Sequence, residues 1–182
     1  MNLRWKCASC DEWHTGPCLD FGFSEPHYWD KNQEKASRWT NLVPRRLKKP
    51  SKTFLDSDYC SIDDESFFVR GLIHLPIIGA ADSFCWGVWG SLSRANYEAL
   101  LKADDEHCNV ELPPMFSWLS TQIPGYPETL NLKMWVLIQE PGMRPHFRLE
   151  RGDHPLCMEY HHGISPSRVK EIMFERLPAL EE

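Results

Sequence analysis

The sequence lacks any long apolar run. Nothing in it approaches the roughly 20 residues a helix needs to cross a bilayer, and the opening MNLRWKCASC has no apolar core of a secretory leader. Both absences point to a cytoplasmic, non-membrane protein. There is no internal repeat and no low-complexity tract, which sets aside solenoids and arrays. Positive charge is the scarcer sign, with 20 Lys and Arg against 26 Asp and Glu for a net −6. No G-x-S-x-G nucleophile elbow is present. The seven cysteines are odd in number, and without a leader they do not read as a disulfide framework.

What is present suffices for a packed core. The 182 residues are 42% hydrophobic and 12% aromatic, with eight Trp. This suits one domain over 1–182, divided into an N-terminal Cys/His segment at 1–30, a basic linker at 31–55 and a body at 56–182. Seven bases and no acid lie between Lys35 and Lys52, so the rest of the chain carries thirteen bases against twenty-six acids. Such an acidic body disfavours nucleic acid, whose phosphates require positive charge. An acidic protein partner for the basic stretch is compatible with it.

Strand signals begin at Tyr59. Ser66–Leu75 is rich in Phe, Val and Ile. Phe84–Leu92 alternates Phe84, Trp86, Val88 and Leu92 on one face with Cys85, Gly87, Trp89 and Ser91 on the other. Further strands are expected over Leu130–Gln139, His146–Glu150 and Leu156–Tyr160. Helices are expected over Asn32–Trp39 in part, over Arg94–Ala103 behind a Ser93 cap, and from Ser165-Pro166 to about Leu177. Asp63-Asp64-Glu65 reads as a turn. Arg70, inside an apolar strand, requires a carboxylate if buried, and an edge or solvent-facing position is the expectation. The prolines at 113, 114, 124 and 127 bracket aromatics that either line a groove or close the core, and the core is favoured. Consecutive strands with short turns predict an α+β fold: a mostly antiparallel sheet with a few helices packed on one face.

The sharpest chemical signal is Cys7-x2-Cys10-x3-His14-x3-Cys18. Two thiolates in a tight turn suit one zinc ion, which takes four such ligands tetrahedrally. Each later gap is one residue shorter than in a nucleic-acid-binding knuckle. Cys60, in SDYCSID before a strand, offers a second closure with Cys7, Cys10 and His14, tying the N-terminal turn to the sheet. Reduced, metal-free cysteines and a redox pair are the competing readings. Asp153-His154 and His161-His162 carry chemistry suited to proton transfer. Cys60 or Cys157 with a neighbouring His is a conceivable nucleophile pair. No catalytic set emerges from these, so a non-enzymatic binding or accessory protein with a structural zinc site is the leading reading. A small zinc- or Cys/His-dependent hydrolase is the alternative.

Several phrases together carry a resemblance: Cys7-x2-Cys10 with His14, SDYCSIDDESFFVRG at 57–71, WGVWGSLS at 86–93, FSWLSTQIPGYPETLNLK at 116–133, DHPL at 153–156 and ISPSRVKEI near the end. In that order they resemble the bacterial domain-of-unknown-function family 2199, over nearly the whole chain. The resemblance implies a bacterial setting and maps a metal set onto Cys7, Cys10, His14 and Cys60, but implies no activity. Asp11 stands where the family tends to have Gly after the second Cys, and the Lys35–Lys52 stretch looks like an enlarged linker.

Overall fold

The computed structural model describes residues 4–7, 11–29, 53–106, 112–140, 142–177 and 180–181. The expected helix within Asn32–Trp39, the basic stretch Lys35–Lys52, and Cys10 and Cys108 lie outside them. The described chain is α+β, with three helices and two sheets.

Its spine is a long antiparallel hairpin of β6 (Ser66–Pro76) and β7 (Ser83–Leu92), in register from Phe67↔Leu92 to Pro76↔Ser83. The period-2 alternation read from the sequence divides its faces as expected. Phe67, Val69, Ile73, Leu75, Phe84, Trp86, Val88 and Leu92 join the main apolar cluster. Phe68 and Trp89, on the other face, join a smaller cluster with Cys60. The strand β5 (Tyr59–Ile62) precedes β6 through the turn at Asp63-Asp64-Glu65, where Asp63 (φ 54°) and Asp64 (φ 57°) take the left-handed conformation. Asp tolerates that region better than most residues. The short β4 (Phe54–Leu55) pairs with β5.

Three later strands, β8 (Met115–Trp118), β9 (Lys133–Leu137) and β10 (His146–Leu149), complete a curl. The path runs β7-β6-β10-β9-β8 and returns to β7 through the bridge Gly90↔Leu119 and the 2.8 Å hydrogen bond from Ser120 N to Trp89 O. Two inward glycines make the curl possible. A methyl group on Gly71 would lie 2.7 Å from both Phe147 Cζ and Pro145 O, and one on Gly90 would lie 2.5 Å from Ser117 Oγ. The loop after β8 is pinned by buried threonines: Thr121 Oγ1 accepts from Trp89 N at 2.9 Å, and Thr129 Oγ1 accepts from Ile123 N at 2.9 Å.

The main sheet is mixed, which corrects the expectation of a mostly antiparallel one. β10 runs parallel to β6, and β3 (Asp20–Gly22) runs parallel to β7. The ring supplies the physical reason. Five strands closed on themselves cannot alternate direction at every step, so one neighbouring pair must be parallel.

The helices are α1 (Arg94–Glu106), α2 (Pro155–His162) and α3 (Pro166–Arg176). Their buried residues, among them Tyr97, Leu100, Leu156, Val169 and Ile172, all belong to the main cluster. α2 replaces the strand expected over Leu156–Tyr160. Pro155 stands at its first turn and His154 caps it, with Nδ1 accepting from Leu156 N at 3.1 Å. These local start signals outweigh the brief apolar alternation. Ser165 caps α3 as anticipated, Oγ accepting from Arg168 N at 3.2 Å. A second, small sheet joins β1 (Arg4–Lys6), β2 (Trp13–Thr15) and β11 (Leu180–Glu181). No helix among the described residues is long and apolar enough to cross a membrane.

Candidate functional site

The N-terminal turn links β1 to β2. Cys7 N donates to Glu12 O at 2.9 Å and Asp11 N to Cys7 O at 3.0 Å, and Asp11 has φ 59°. The position after the second cysteine therefore does take the left-handed conformation that favours Gly, and Asp fills it. His14 pairs with Trp5 across the hairpin and stacks on its ring at 4.8 Å. Cys18 is buried, its Sγ 3.5 Å from Asp20 O, and burial pushes its thiol up, with the charges of Asp20 and Cys7 acting in the same direction. Cys60 is fully buried elsewhere, against Phe68 and Trp89, and burial pushes its thiol far up. Among the described residues, no three His, Cys, Asp or Glu side chains gather as a metal-binding group. The structure thus leaves Cys18 within electrostatic reach of Cys7 and places Cys60 in a separate apolar cluster.

The sequence-derived proton-transfer candidates also separate. His154 is committed to the α2 cap, and its ring stacks on Tyr126 at 6.5 Å. Tyr126 donates to Glu159, whose carboxylate lies 3.8 Å from Arg168 Nε. Burial, then the Glu159 bond, holds the Tyr126 hydroxyl protonated. This set fastens the 121–129 loop to α2 and α3. Cys157 and His161 lie one turn apart on α2, beside Asp153 and His162 in a hollow of about 350 Å³. The Cys157 thiol is pushed up by burial, and His161 Nε2 sits 3.1 Å from Leu149 O. Cys85 is likewise pushed up to about 12 by burial. A nucleophilic cysteine needs the thiolate, and none of these four environments stabilises it.

A different place combines space with charge. β5 and β10 share one edge of β6 in tandem: β5 pairs along Ser66–Val69, and β10 meets β6 at Leu72. At the junction Arg70 N donates to Asp58 O at 2.7 Å and Leu72 N to Pro145 O at 2.9 Å. A cleft of about 400 Å³ opens there, lined by Asp58, Arg70, Leu72, Asp104, Met143 and Arg144 among others. Arg144 Nε holds Asp58 Oδ1 at 2.8 Å. Arg70 crosses the outer face over β7 and β3. A methyl group on Gly22 would fall 2.5 Å from its Nη2, and one on Gly87 would lie 3.8 Å from that atom. Among the described residues its guanidinium makes one hydrogen bond, a long one from Nη1 to Ser57 O at 3.5 Å, while its Nε is buried with no partner. Burial, then the neighbouring Arg144 charge, lowers its pKa, partly offset by Asp58 and Asp20.

Arg70 is therefore half-buried, neither at a free edge nor fully in solvent as the sequence suggested. The apolar phrase SFFVRGL was the available signal. Its companion Arg144 gave none, because the two meet only when β10 comes to β6. The proline-bracketed segment also divides. Of Phe116, Trp118 and Leu119, expected to close the core, only Leu119 does so, beside Ile123 and Tyr126, while Phe116 and Trp118 stand on the outer face, 37% and 40% exposed.

A family model described as "Uncharacterized protein conserved in bacteria (DUF2199)" matches residues 6–164. The chain belongs to this family. The match covers the Cys7 turn, the curled sheet and α2, and the description assigns no activity. No curated protein and no solved structure matches the chain.

Proposed function

We propose that this DUF2199 protein is a non-enzymatic binding or accessory protein whose ligand occupies the cleft between β5 and β10. The observation that carries the reading is an arginine without a carboxylate at ion-pair distance among the described residues, half-buried beside a second arginine in a cleft of about 400 Å³. Leaving a guanidinium partly desolvated and only partly compensated is costly in a purely structural role, whereas a binding site recovers that cost when it is filled. The protonated state favoured for Cys18, Cys60, Cys85 and Cys157 also supports binding over Cys-dependent hydrolysis. Those four cysteines form no disulfide, which suits a cytoplasmic setting. The test is a thermal-shift screen against a small-metabolite library, repeated on Met143→Trp, which fills the cleft from an exposed position. Hits lost in the variant support the reading. Hits that persist in it, or a screen with none, overturn it.

The N-terminal turn has a second part in this proposal, as a clamp held by a structural zinc ion with Cys7 and Cys10 as its first ligands. Of the remaining candidates, Cys18 has the better support, since its thiol lies within electrostatic reach of Cys7. Cys60 is enclosed by Phe68 and Trp89, and His14 is stacked on Trp5. Metal content measured on Cys7→Ser, Cys18→Ser and Cys60→Ser should show zinc lost in the first two variants and kept in the third. Zinc retained in Cys7→Ser overturns the clamp.

A further inference from the structure

We infer that the cleft between β5 and β10 recognises a monocarboxylate, with Arg70 as the residue that reads it. The inference rests on the binding role proposed above and adds the chemistry of the ligand.

Charge selects the class. Among the ionisable residues lining the cleft, Arg70 and Arg144 are matched in number by Asp58 and Asp104. Arg144 is already held by Asp58 through its Nε at 2.8 Å, so its charge is largely answered within the protein. Among the described residues Arg70 has no ion pair, and its buried Nε has no acceptor. Its guanidinium is therefore the cationic group in the cleft that a ligand can meet. With two arginines and two aspartates the cleft is neutral as a whole, so a phosphate dianion would leave it with two excess negative charges where a carboxylate leaves one, which disfavours phosphate. The planar guanidinium presents a fork of donors that fits a carboxylate in bidentate fashion.

Shape and polarity select the rest of the molecule. Leu72, Met143 and Pro145 supply apolar wall to the same cleft, which suits a short aliphatic body attached to the carboxylate. A small free acid and the C-terminus of a peptide share that chemistry. The setting of Arg70 is also restricted. Its guanidinium lies against Gly22 on β3, where a methyl group would meet Nη2 at 2.5 Å. A third strand thus fixes where the charge sits, and Gly22→Ala would displace the guanidinium without removing it.

Isothermal titration on the full chain provides the test, with isovalerate, isovaleramide and inorganic phosphate as probes. A short neutral peptide, with its C-terminus free or amidated, forms a second arm. Isovalerate or the free peptide should bind about ten-fold or more tightly than its amide, the order expected for a hydrogen bond to a charged group. The preference should vanish in Arg70→Gln and weaken in Gly22→Ala. It should survive in Arg148→Gln, on β10 and outside the cleft. Which arm responds tells whether free acids or peptide termini are the source. Equal binding of acid and amide, tighter binding of phosphate, or an unchanged preference in both Arg70→Gln and Gly22→Ala overturns the inference. If neutral ligands bind and Met143→Trp blocks them, the binding role stands while the carboxylate assignment falls. If no probe binds and the library screen is also empty, both fall.

Discussion

On the inner face of the curled sheet, Val69, Ile73, Phe84, Trp86, Met134 and Phe147 are at most 1% exposed, and nearly every neighbour is apolar. On the outer face of the same strands stand Arg70, His74, Cys85, His146, Phe116 and Trp118, a mixture of charge, imidazole, thiol and exposed ring. The two faces are separated by a single peptide step, because successive side chains on a strand point opposite ways. The inner face is constrained by volume, to the point that Gly71 and Gly90 are needed to admit Phe147 and Met134. The outer face is constrained where Trp89, Phe68 and Cys60 are covered by Phe23, Trp29 and Leu55, and where Arg70 lies against Gly22. Buried polar atoms short of partners occur on both faces, Arg70 Nε and His74 Nε2 on the outer one and Trp86 Nε1 and Ser117 Oγ on the inner one, but only the outer pair includes ionisable groups. Chemistry is therefore to be sought outside the curl, and stability inside it.

The contrast can be broken by substitution. Phe147→Ala, on the inner face, should cost about 3–5 kcal/mol in urea unfolding, the usual range for emptying such a site. A loss below about 1 kcal/mol would mean that the ring of strands does not close around it. Gly90→Ala should cost about 1–3 kcal/mol by overpacking against Met134 and Ser117. It should do so without changing the m-value, since the surface exposed on unfolding stays the same.

A smaller effect is expected from His146 on the outer face. Burial, then the neighbouring His74 at a ring distance of 4.5 Å, lowers its pKa below the ordinary 6.5. Its folded pKa is the depressed one, so the unfolded chain takes up the proton first. The stability associated with the neutral ring is present above about pH 6.5 and is lost as pH falls through the folded value. Unfolding measured across that interval should show a gentler acid slope in His146→Asn than in the parent. An equal slope would remove His146 from the account. Smallest of all, Trp118→Ala should change stability by within ~0.5 kcal/mol, because its ring is 40% exposed beside Phe116. A larger loss would show the outer aromatics to be part of the core.

Much of the local structure was legible. The alternation in Phe84–Leu92 assigned each side chain to its face. Ser93 and Ser165-Pro166 marked helix starts that the structure uses. Leu156–Tyr160 was misread as strand because five residues show too little periodicity to oppose a cap. Here the decisive cap was a histidine, a residue outside the usual set. For the site, Arg70 stood out within an apolar phrase, but its environment did not. Asp58 lies next to its own hairpin, while Arg144 arrives from the loop before β10, more than seventy positions later in the chain.

By itself the sequence determined the α+β class, the division of the β6–β7 hairpin into an apolar and a mixed face, the starts of α1 and α3, and the cysteine spacing at Cys7 and Cys10. These follow from side-chain period and local hydrogen bonding, which act within a few residues. The tertiary structure decided the rest: that β8 returns to β7, that a ring of five strands must then contain a parallel pair, and that Cys60 joins Phe68 and Trp89 in an apolar cluster. It also decided that two arginines would share one cleft. Those outcomes depend on which strand becomes whose neighbour, and that choice is made by the volume available inside the curl and by no pattern along the chain.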